Sequence, residues 1–168
     1  MRTKIRRLAL LGMLIGALLG TGLMAPAGAA GTTQIDGDAT FNAAGPCGTP
    51  QPGFPDYAGL QLTGDLVGCW YTDVESTRTT PSGGYHETGR ELFIGSYKGG
   101  PVGTFETTFL FTGKYAPDGV TEIHGRCHHP IVAGSGTGGF AGAEGRVDFK
   151  DIIGDPVVYV YRGHIRLG

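Results

Sequence analysis

The feature that most constrains this chain is a glycine-rich corner between two segments of alternating residues. Residues 134–145 contain six glycines, and residues 120–129 and 146–153 on either side alternate between apolar and polar side chains. Alternation with a period of two is typical of a β-strand with one buried face. Glycine is needed where the backbone takes a positive φ or lets another strand pass close. The pattern predicts a strand, a corner and a second strand, with Phe140 filling the core beneath the corner.

Residues 132–147 of this corner, VAGSGTGGFAGAEGRV, carry a family resemblance. The segment resembles the glycine-rich segment of plant allene oxide cyclases, of dirigent proteins and of small secreted bacterial proteins with the same barrel. The rest of the chain is similar to these proteins only in its rhythm of strands. The resemblance implies an eight-stranded antiparallel barrel with a central cavity. It implies no activity, because neither the catalytic residues of the cyclases nor the acidic and arginine residues of dirigent pockets match positions here.

The same corner also spells G-x-G-x-x-G from Gly134 to Gly139, which is a nucleotide-binding pattern. A dinucleotide-binding segment of this kind must open a helix whose N-terminus faces the pyrophosphate. Here the next residues contain two further glycines and then an alternating strand, and no Lys-Ser or Lys-Thr follows as a P-loop requires. We therefore expect no nucleotide cofactor, and the sequence predicts no other cofactor.

The first thirty residues have the composition of a signal peptide. Residues 1–7 carry four basic side chains, residues 8–23 form an apolar run broken by glycines, and residues 25–30 are small apart from one proline. The run is short for a bilayer span of about 20 residues, and no later apolar run is long enough. We expect residues 1–30 to be removed, so that the mature protein is secreted and has no membrane segment.

The charge of the mature chain excludes one class of partner. Removing the leader takes away four of the thirteen basic residues and none of the fifteen acidic ones, so the net charge falls from −2 to −6. The three remaining lysines, Lys98, Lys114 and Lys150, are scattered. Nucleic-acid binding needs clustered lysine and arginine, so no nucleic-acid partner is expected.

All three cysteines, Cys47, Cys69 and Cys127, follow the leader. An exported protein can form one disulfide from them, and three pairings are open. We favour Cys47 with Cys69, because this bond would tie a proline-rich arm to the first strong strand. Cys127 would then be a free thiol, and a buried free cysteine behaves as a small core residue.

The mature chain divides into an arm at residues 31–58 and a barrel domain at residues 59–168. The arm is expected to be irregular, because proline cannot donate to a strand ladder. It is expected either to lie over one end of the barrel or to be partly disordered until Cys47 ties it down. Strands are predicted at 60–63, 66–77, 84–97, 102–115, 120–129, 145–153 and 157–167, separated by turns rich in glycine, proline and aspartate. Counting a strand from the arm, or splitting one long segment, gives seven to nine strands. This count predicts an all-β fold, a single closed antiparallel β-barrel of about eight strands with little or no helix.

Alternation assigns an inner and an outer face to each strand. On residues 102–115 the inner set is Phe105, Thr107, Phe109, Phe111 and Tyr115. The same rule places Glu91 and His129 inside, where they could move a proton on a ligand and are therefore the catalytic candidates. The alternative is that Glu91 is solvated at the barrel mouth or only hydrogen-bonds to a tyrosine. Ligand contacts are predicted for Trp70, Tyr85, Phe109, Cys127, Tyr159 and Tyr161.

The cluster His124, Cys127, His128 and His129 invites a zinc interpretation. On a strand, however, His124 and His128 point one way while Cys127 and His129 point the other, and a zinc site needs three or four converging ligands. No metal site is therefore expected. No serine stands in a Gly-x-Ser-x-Gly segment, so a hydrolase is not expected either.

The leading hypothesis is a secreted barrel that binds a small apolar or aromatic molecule in its cavity and steers its cyclisation or coupling by confinement. The alternative is a secreted interaction or surface module whose barrel is filled by side chains. An isomerase or cyclase that uses Glu91 and His129 is the third hypothesis. The oligomeric state stays open, although barrels of the resembled family often form dimers or trimers.

Overall fold

A computed structural model of the chain describes residues 31–155 and 157–168, and over these residues the protein is entirely β. The predicted signal peptide at residues 1–30 lies outside the described residues. No helix occurs in the described ranges, and so none there could cross a membrane. The nine strands are β1 Thr33–Phe41, β2 Asp56–Gly64, β3 Leu66–Thr79, β4 Gly84–Tyr97, β5 Gly103–Tyr115, β6 Glu122–His128, β7 Thr137–Gly138, β8 Glu144–Ile152 and β9 Val158–Arg166.

Eight of these strands close into a ring. Neighbours follow the order β4, β3, β2, β1, β9, β8, β6 and β5, and β5 pairs with β4 to complete the barrel. Every pairing is antiparallel. The two-residue β7 pairs with β5 outside the ring. The predicted fold class, a closed antiparallel barrel of eight strands, is confirmed, and closure leaves no free edge in the ring.

The strand β1 corrects the prediction of an irregular arm at residues 31–58. Thr33–Phe41 is a full member of the barrel and pairs with β2 on one side and β9 on the other. Along most of its length the inner face carries Ile35 and the small residues Gly37 and Ala39, and Phe41 follows at the cavity end, while acidic and polar side chains face outward. The strand was missed because these small side chains give a weak alternation. Its backbone is nevertheless held by ladders on both sides, which supply hydrogen bonds irrespective of side chain.

Only residues 42–55 are irregular, and they pack against the outside of the barrel rather than over its end. Cys47 is bonded to Cys69 of β3, as predicted, and Cys127 is free and buried. Cys69 neighbours the inward Trp70 on its strand, so it faces outward. Phe54, also in the arm, is buried and lies 5.4 Å from the guanidinium of Arg90 on β4. A small second core therefore forms on the outer face of β3 and β4.

One half of the barrel interior is filled by aromatic rings. Phe140 of the glycine corner is fully buried, and its ring centroid lies 5.5 Å from that of Phe93 and 5.1 Å from that of Phe105. Trp70 packs on the same two rings from the other side, with centroids 5.9 and 5.7 Å away. The prediction that Phe140 fills the core beneath the corner is confirmed. This end of the barrel is a packed plug.

Tyr161 fixes the corner between β2 and β3 to the opposite wall. Its buried hydroxyl accepts a hydrogen bond from the Leu66 N–H at 2.8 Å and lies 3.1 Å from the Thr63 carbonyl, to which it donates. The side chain crosses β1 at Gly37, its direct partner in the ladder. A Cβ at Gly37 would collide with the tyrosine ring and hydroxyl, so glycine is required at this crossing.

Candidate functional site

The other half of the barrel contains an open cavity of about 290 Å³. It lies at the end where β4 and β9 begin and where β5 and β8 finish. Eight aromatic side chains line it: Phe41, Tyr57, Tyr85, Phe109, Phe111, Tyr115, Phe149 and Tyr159. The polar lining is mainly acidic, with Glu87, Glu91, Glu122 and Asp151, and among the residues that the structure describes His129 is its one basic side chain. The interior is thus divided into a filled half and an open half.

Glu91 and His129 form a buried pair at the floor of the cavity. The His129 Nε2 atom lies 2.9 Å from the Glu91 Oε2 atom, and both side chains are almost completely shielded from solvent. The His129 ring is held by Trp70 and Phe149, whose centroids lie 5.3 and 4.9 Å away, and it stacks on Phe109 at 6.2 Å. Rings on three sides therefore fix the orientation of the imidazole.

The hydrogen bonds of His129 define how many protons the pair holds. The Nδ1 atom lies 2.8 Å from the Val147 carbonyl oxygen, which can only accept, so Nδ1 carries a proton. The contact between Nε2 and Glu91 needs one more proton, on either atom. Both forms, imidazolium with carboxylate and imidazole with carboxylic acid, have no net charge. Hydroxyls of Thr72 and Thr107 donate to Glu91 at 3.2 and 3.4 Å, which favours the carboxylate.

Glu87 lies four residues before Glu91 on β4 and accepts hydrogen bonds from two tyrosines. The hydroxyls of Tyr57 and Tyr85 donate to its Oε2 atom at 3.0 and 2.5 Å. Desolvation and the nearby carboxylate raise the pKa of Tyr57 to about 12, and the same causes raise the pKa of Tyr85. Tyr57 has a φ of 65°, a conformation that a non-glycine residue rarely adopts. This backbone turns the Tyr57 side chain toward the cavity mouth.

Asp151 and Glu122 meet at the rim of the cavity. A Cβ at Gly125 would collide with a carboxyl oxygen of each and with the Phe111 ring, so both carboxyl groups occupy the space that this glycine leaves open. Glu122 reaches the inner face through a β-bulge. On β5, Lys114 pairs with His124 but the next residue, Tyr115, pairs with Glu122, so Ile123 is the extra residue.

The two rim carboxyl groups share a proton near neutral pH. Burial, the hydrogen bond with Glu122 and the charge of Glu122 together raise the pKa of Asp151 to about 7, and burial is the largest of these causes. Two carboxylates this close cannot both ionise without a large cost in free energy.

Cys127 lies between the rim and the floor of the cavity, and burial together with the Glu91 and Asp151 charges raises the pKa of its thiol. The thiol is therefore not an activated nucleophile.

The shared proton predicts an unusual pH dependence of stability. The folded pKa of Asp151 lies above its unfolded value, so its favourable contribution is complete below about pH 4 and is lost as the pH rises through about 7. Asp151→Asn cannot ionise and keeps a donor for Glu122. We expect this variant to be more stable than the wild type at pH 8 by about 2 kcal/mol, a value reduced to allow for water in the open cavity.

Urea denaturation of both proteins at pH 5 and pH 8 measures this effect. The control is Asp38→Asn, which changes an outward-facing, exposed aspartate of β1 that has no histidine among its ladder partners. The difference between Asp151→Asn and the wild type should grow with pH, whereas the difference for the control should not. An equal difference at both pH values would contradict the shared proton.

The structure brings most of the sequence-predicted site residues together. Glu91 and His129 are in contact, and Tyr85, Phe109, Cys127 and Tyr159 line the cavity. Two predicted ligand contacts lie elsewhere. Trp70 lies beneath the floor, against His129 and Phe149, and Tyr161 is buried with its hydroxyl bonded to the β2–β3 corner. Neither lines the cavity, because the filled half of the barrel takes up both rings.

Sequence reasoning missed both rim carboxyl groups. Simple alternation places Ile123 inside and Glu122 outside, and the bulge reverses this, leaving Ile123 about half exposed. Asp151 has the same parity as Val147 and Phe149, so extending the alternation on β8 by one step would have found it. Tyr57 was missed because it lies in the segment taken for an irregular arm.

The histidine and cysteine cluster of β6 divides between the two faces. His124 and His128 are exposed on the outer wall, while Cys127 and His129 are buried inside. Within residues 31–155 and 157–168 no three histidine, cysteine, aspartate or glutamate side chains are placed to hold a metal ion together.

No family model matches the chain, and neither does any curated protein or solved structure. The functional argument therefore depends on the chemistry of the cavity.

Proposed function

We propose that the protein is a secreted barrel that binds a small molecule with an apolar or aromatic body in its open cavity. The observation that carries the proposal is the cavity of about 290 Å³ with eight aromatic side chains around it. Ligand pockets begin at about 300 Å³, so this one suits a small ligand. The Cys47–Cys69 disulfide is typical of exported proteins and supports secretion.

The division of the interior supports binding over a filled module. A barrel that acts only through its outer surface needs no cavity, and side chains would fill both ends. Here Trp70, Phe93, Phe105 and Phe140 fill one end, while the other stays open. The resemblance of residues 132–147 to allene oxide cyclases and dirigent proteins belongs to the same proposal, because those barrels hold their ligands inside.

Native mass spectrometry of the exported mature protein tests binding directly. We expect either a co-purified small molecule or uptake of an apolar aromatic probe such as 1-naphthol. Cys127→Leu adds volume at the cavity wall and should weaken uptake. Leu110→Phe adds volume on the exposed outer face of β5 and should not. An empty wild-type protein that takes up no apolar probe would contradict the proposal and favour a surface interaction module.

A proton-transfer reaction on the bound molecule is a second candidate, favoured by the Glu91–His129 contact at the cavity floor. A general acid–base pair must hold a transferable proton within reach of the ligand, and both residues line the cavity. Turnover of a bound ligand should be lost in Glu91→Gln while the melting temperature and uptake persist. Unchanged turnover in this variant would rule out the pair as acid and base and leave binding alone.

A further inference from the structure

The charge of the cavity lining restricts the ligand more than its size does. Four carboxyl groups line the cavity, and no lysine or arginine of the described residues does. His129 is already paired with Glu91, and that pair has no net charge. The uncompensated negative charge therefore belongs to Glu87, Glu122 and Asp151. An anionic ligand would meet no free cation in this lining and would be repelled.

Of these three acidic residues, Glu122 and Asp151, the rim pair, lack hydrogen-bond donors within the described part of the chain. Glu87 receives hydrogen bonds from two tyrosine hydroxyls. Asp151 is only 7% exposed, yet no N–H or O–H of residues 31–155 and 157–168 donates to it apart from the proton it shares with Glu122. The Glu122 Oε1 atom is likewise buried without another partner in this part of the chain. Buried carboxyl oxygens without donors are costly unless a ligand supplies the donor.

Aromatic rings flank the rim pair on both sides. Tyr115 on β5 pairs in the ladder with Glu122 on β6, and Asp151 on β8 pairs with Tyr159 on β9. The four side chains thus form a row across four neighbouring strands, with two carboxyl groups in the middle and a tyrosine at each end. The face of an aromatic ring attracts cations, and this attraction adds to that of a carboxylate.

We propose that the cavity binds an organic cation, an ammonium group on a small apolar body, with the ammonium held by Asp151 and Glu122 between Tyr115 and Tyr159. The proposal rests on the proposed function and names the chemical class of its ligand. The apolar body would lie against Phe109, Phe111 and Phe149 toward the floor. A calcium ion would need six to eight oxygen ligands, which two carboxyl groups cannot provide.

Binding of the cation displaces the shared proton of the rim pair. The titratable groups that face Asp151 are Glu122 and Cys127 on β6, Tyr115 on β5, Tyr159 on β9 and, further away, Glu87 on β4. The Tyr115 and Tyr159 hydroxyls and the Cys127 thiol have raised pKa values and stay neutral below pH 9. Ionisation of the rim pair therefore dominates the pH dependence, and affinity for a cation should rise between pH 5.5 and pH 8.

The experiment compares three probes of similar shape by saturation-transfer NMR and calorimetry. Benzylammonium carries three N–H donors and keeps its charge from pH 5.5 to pH 8, ethylbenzene is its neutral isostere, and phenylacetate is an anion. We expect the ammonium probe to bind about tenfold more tightly than the neutral isostere at pH 8 and the anion not to bind. The advantage of the ammonium should shrink at pH 5.5.

Variants assign the effect to the rim. Asp151→Asn and Glu122→Gln, each nearly isosteric, should each remove most of the ammonium advantage and leave the neutral isostere unaffected. Asp148→Asn, on the outer face of β8, should change neither. Equal binding of the ammonium and the isostere would overturn the cation assignment and leave the proposed function standing. If neither bound, both proposals would fail.

Discussion

Replacing His129 with leucine is expected to lower the free energy of unfolding by about 3–5 kcal/mol, because it leaves a buried acidic group without its partner. In the wild type the Glu91 carboxyl group is matched by the His129 ring at 2.9 Å, deep between aromatic side chains. In His129→Leu only the two threonine hydroxyls remain, and the Val147 carbonyl loses its donor as well. Guanidinium denaturation of the mature protein measures the loss.

The neighbouring histidine provides a matched control. His128 faces outward on the same strand and makes only an exposed contact with Asp148, so His128→Leu should cost less than about 0.5 kcal/mol. The double variant Glu91→Met/His129→Leu removes both members of the pair and should be more stable than His129→Leu alone. If His129→Leu cost no more than His128→Leu, the pair would not be a buried, mutually dependent unit.

Seven of the eight strands of the barrel could be predicted because their alternation is strong. The predicted segment 84–97 coincides with Gly84–Tyr97, and the other predicted strands overlap the observed ones. Alternation also placed Glu91 and His129 on the same face. Their direct contact could not be derived from alternation, because it depends on how β4 and β6 are brought together across β5 by closure of the ring.

The position of Glu122 at the rim of the cavity could not be predicted from the sequence, for a specific physical reason. A bulge moves one residue out of the ladder, and every side chain beyond it then changes face. Nothing in the residues around Ile123 signals the bulge, and its result is that Glu122 rather than Ile123 faces Asp151. Likewise β1 has few large apolar side chains, and its place in the ring depends on the ladders of β2 and β9.

The two halves of the interior explain how such a barrel can be both stable and able to bind. Large rings from Phe93, Phe105 and Phe140 bury apolar surface at one end, and this burial is the main source of folding free energy. The open end instead holds carboxyl groups that cost stability when buried. Trp70 lies at the boundary, with the filled half on one side and His129 and Phe149 on the other.

Trp70→Ala is accordingly expected to cost about 3–5 kcal/mol, as large-to-small changes of buried tryptophan do. The indole ring is 1% exposed and packs on four aromatic neighbours. Its Nε1 atom has no hydrogen-bond partner among the described residues, so the loss would come from packing alone. Trp70→Phe should therefore cost clearly less than Trp70→Ala. Val67→Ala, on the exposed face of the same strand, should cost less than about 0.5 kcal/mol.

Trp70→Ala should also change ligand binding, because the Trp70 ring separates the floor of the cavity from the filled half of the barrel. Removing the indole leaves a void directly beneath His129 and Phe149, and an apolar void of this kind stays dry and accepts small apolar guests. We expect Trp70→Ala, under conditions where it remains folded, to take up benzene or xenon that the wild type refuses at that depth, as read by shifts of the Phe105 resonances. A variant that lost the stability without gaining this guest would show that the walls collapse inward, and then the floor is set by the strands rather than by Trp70.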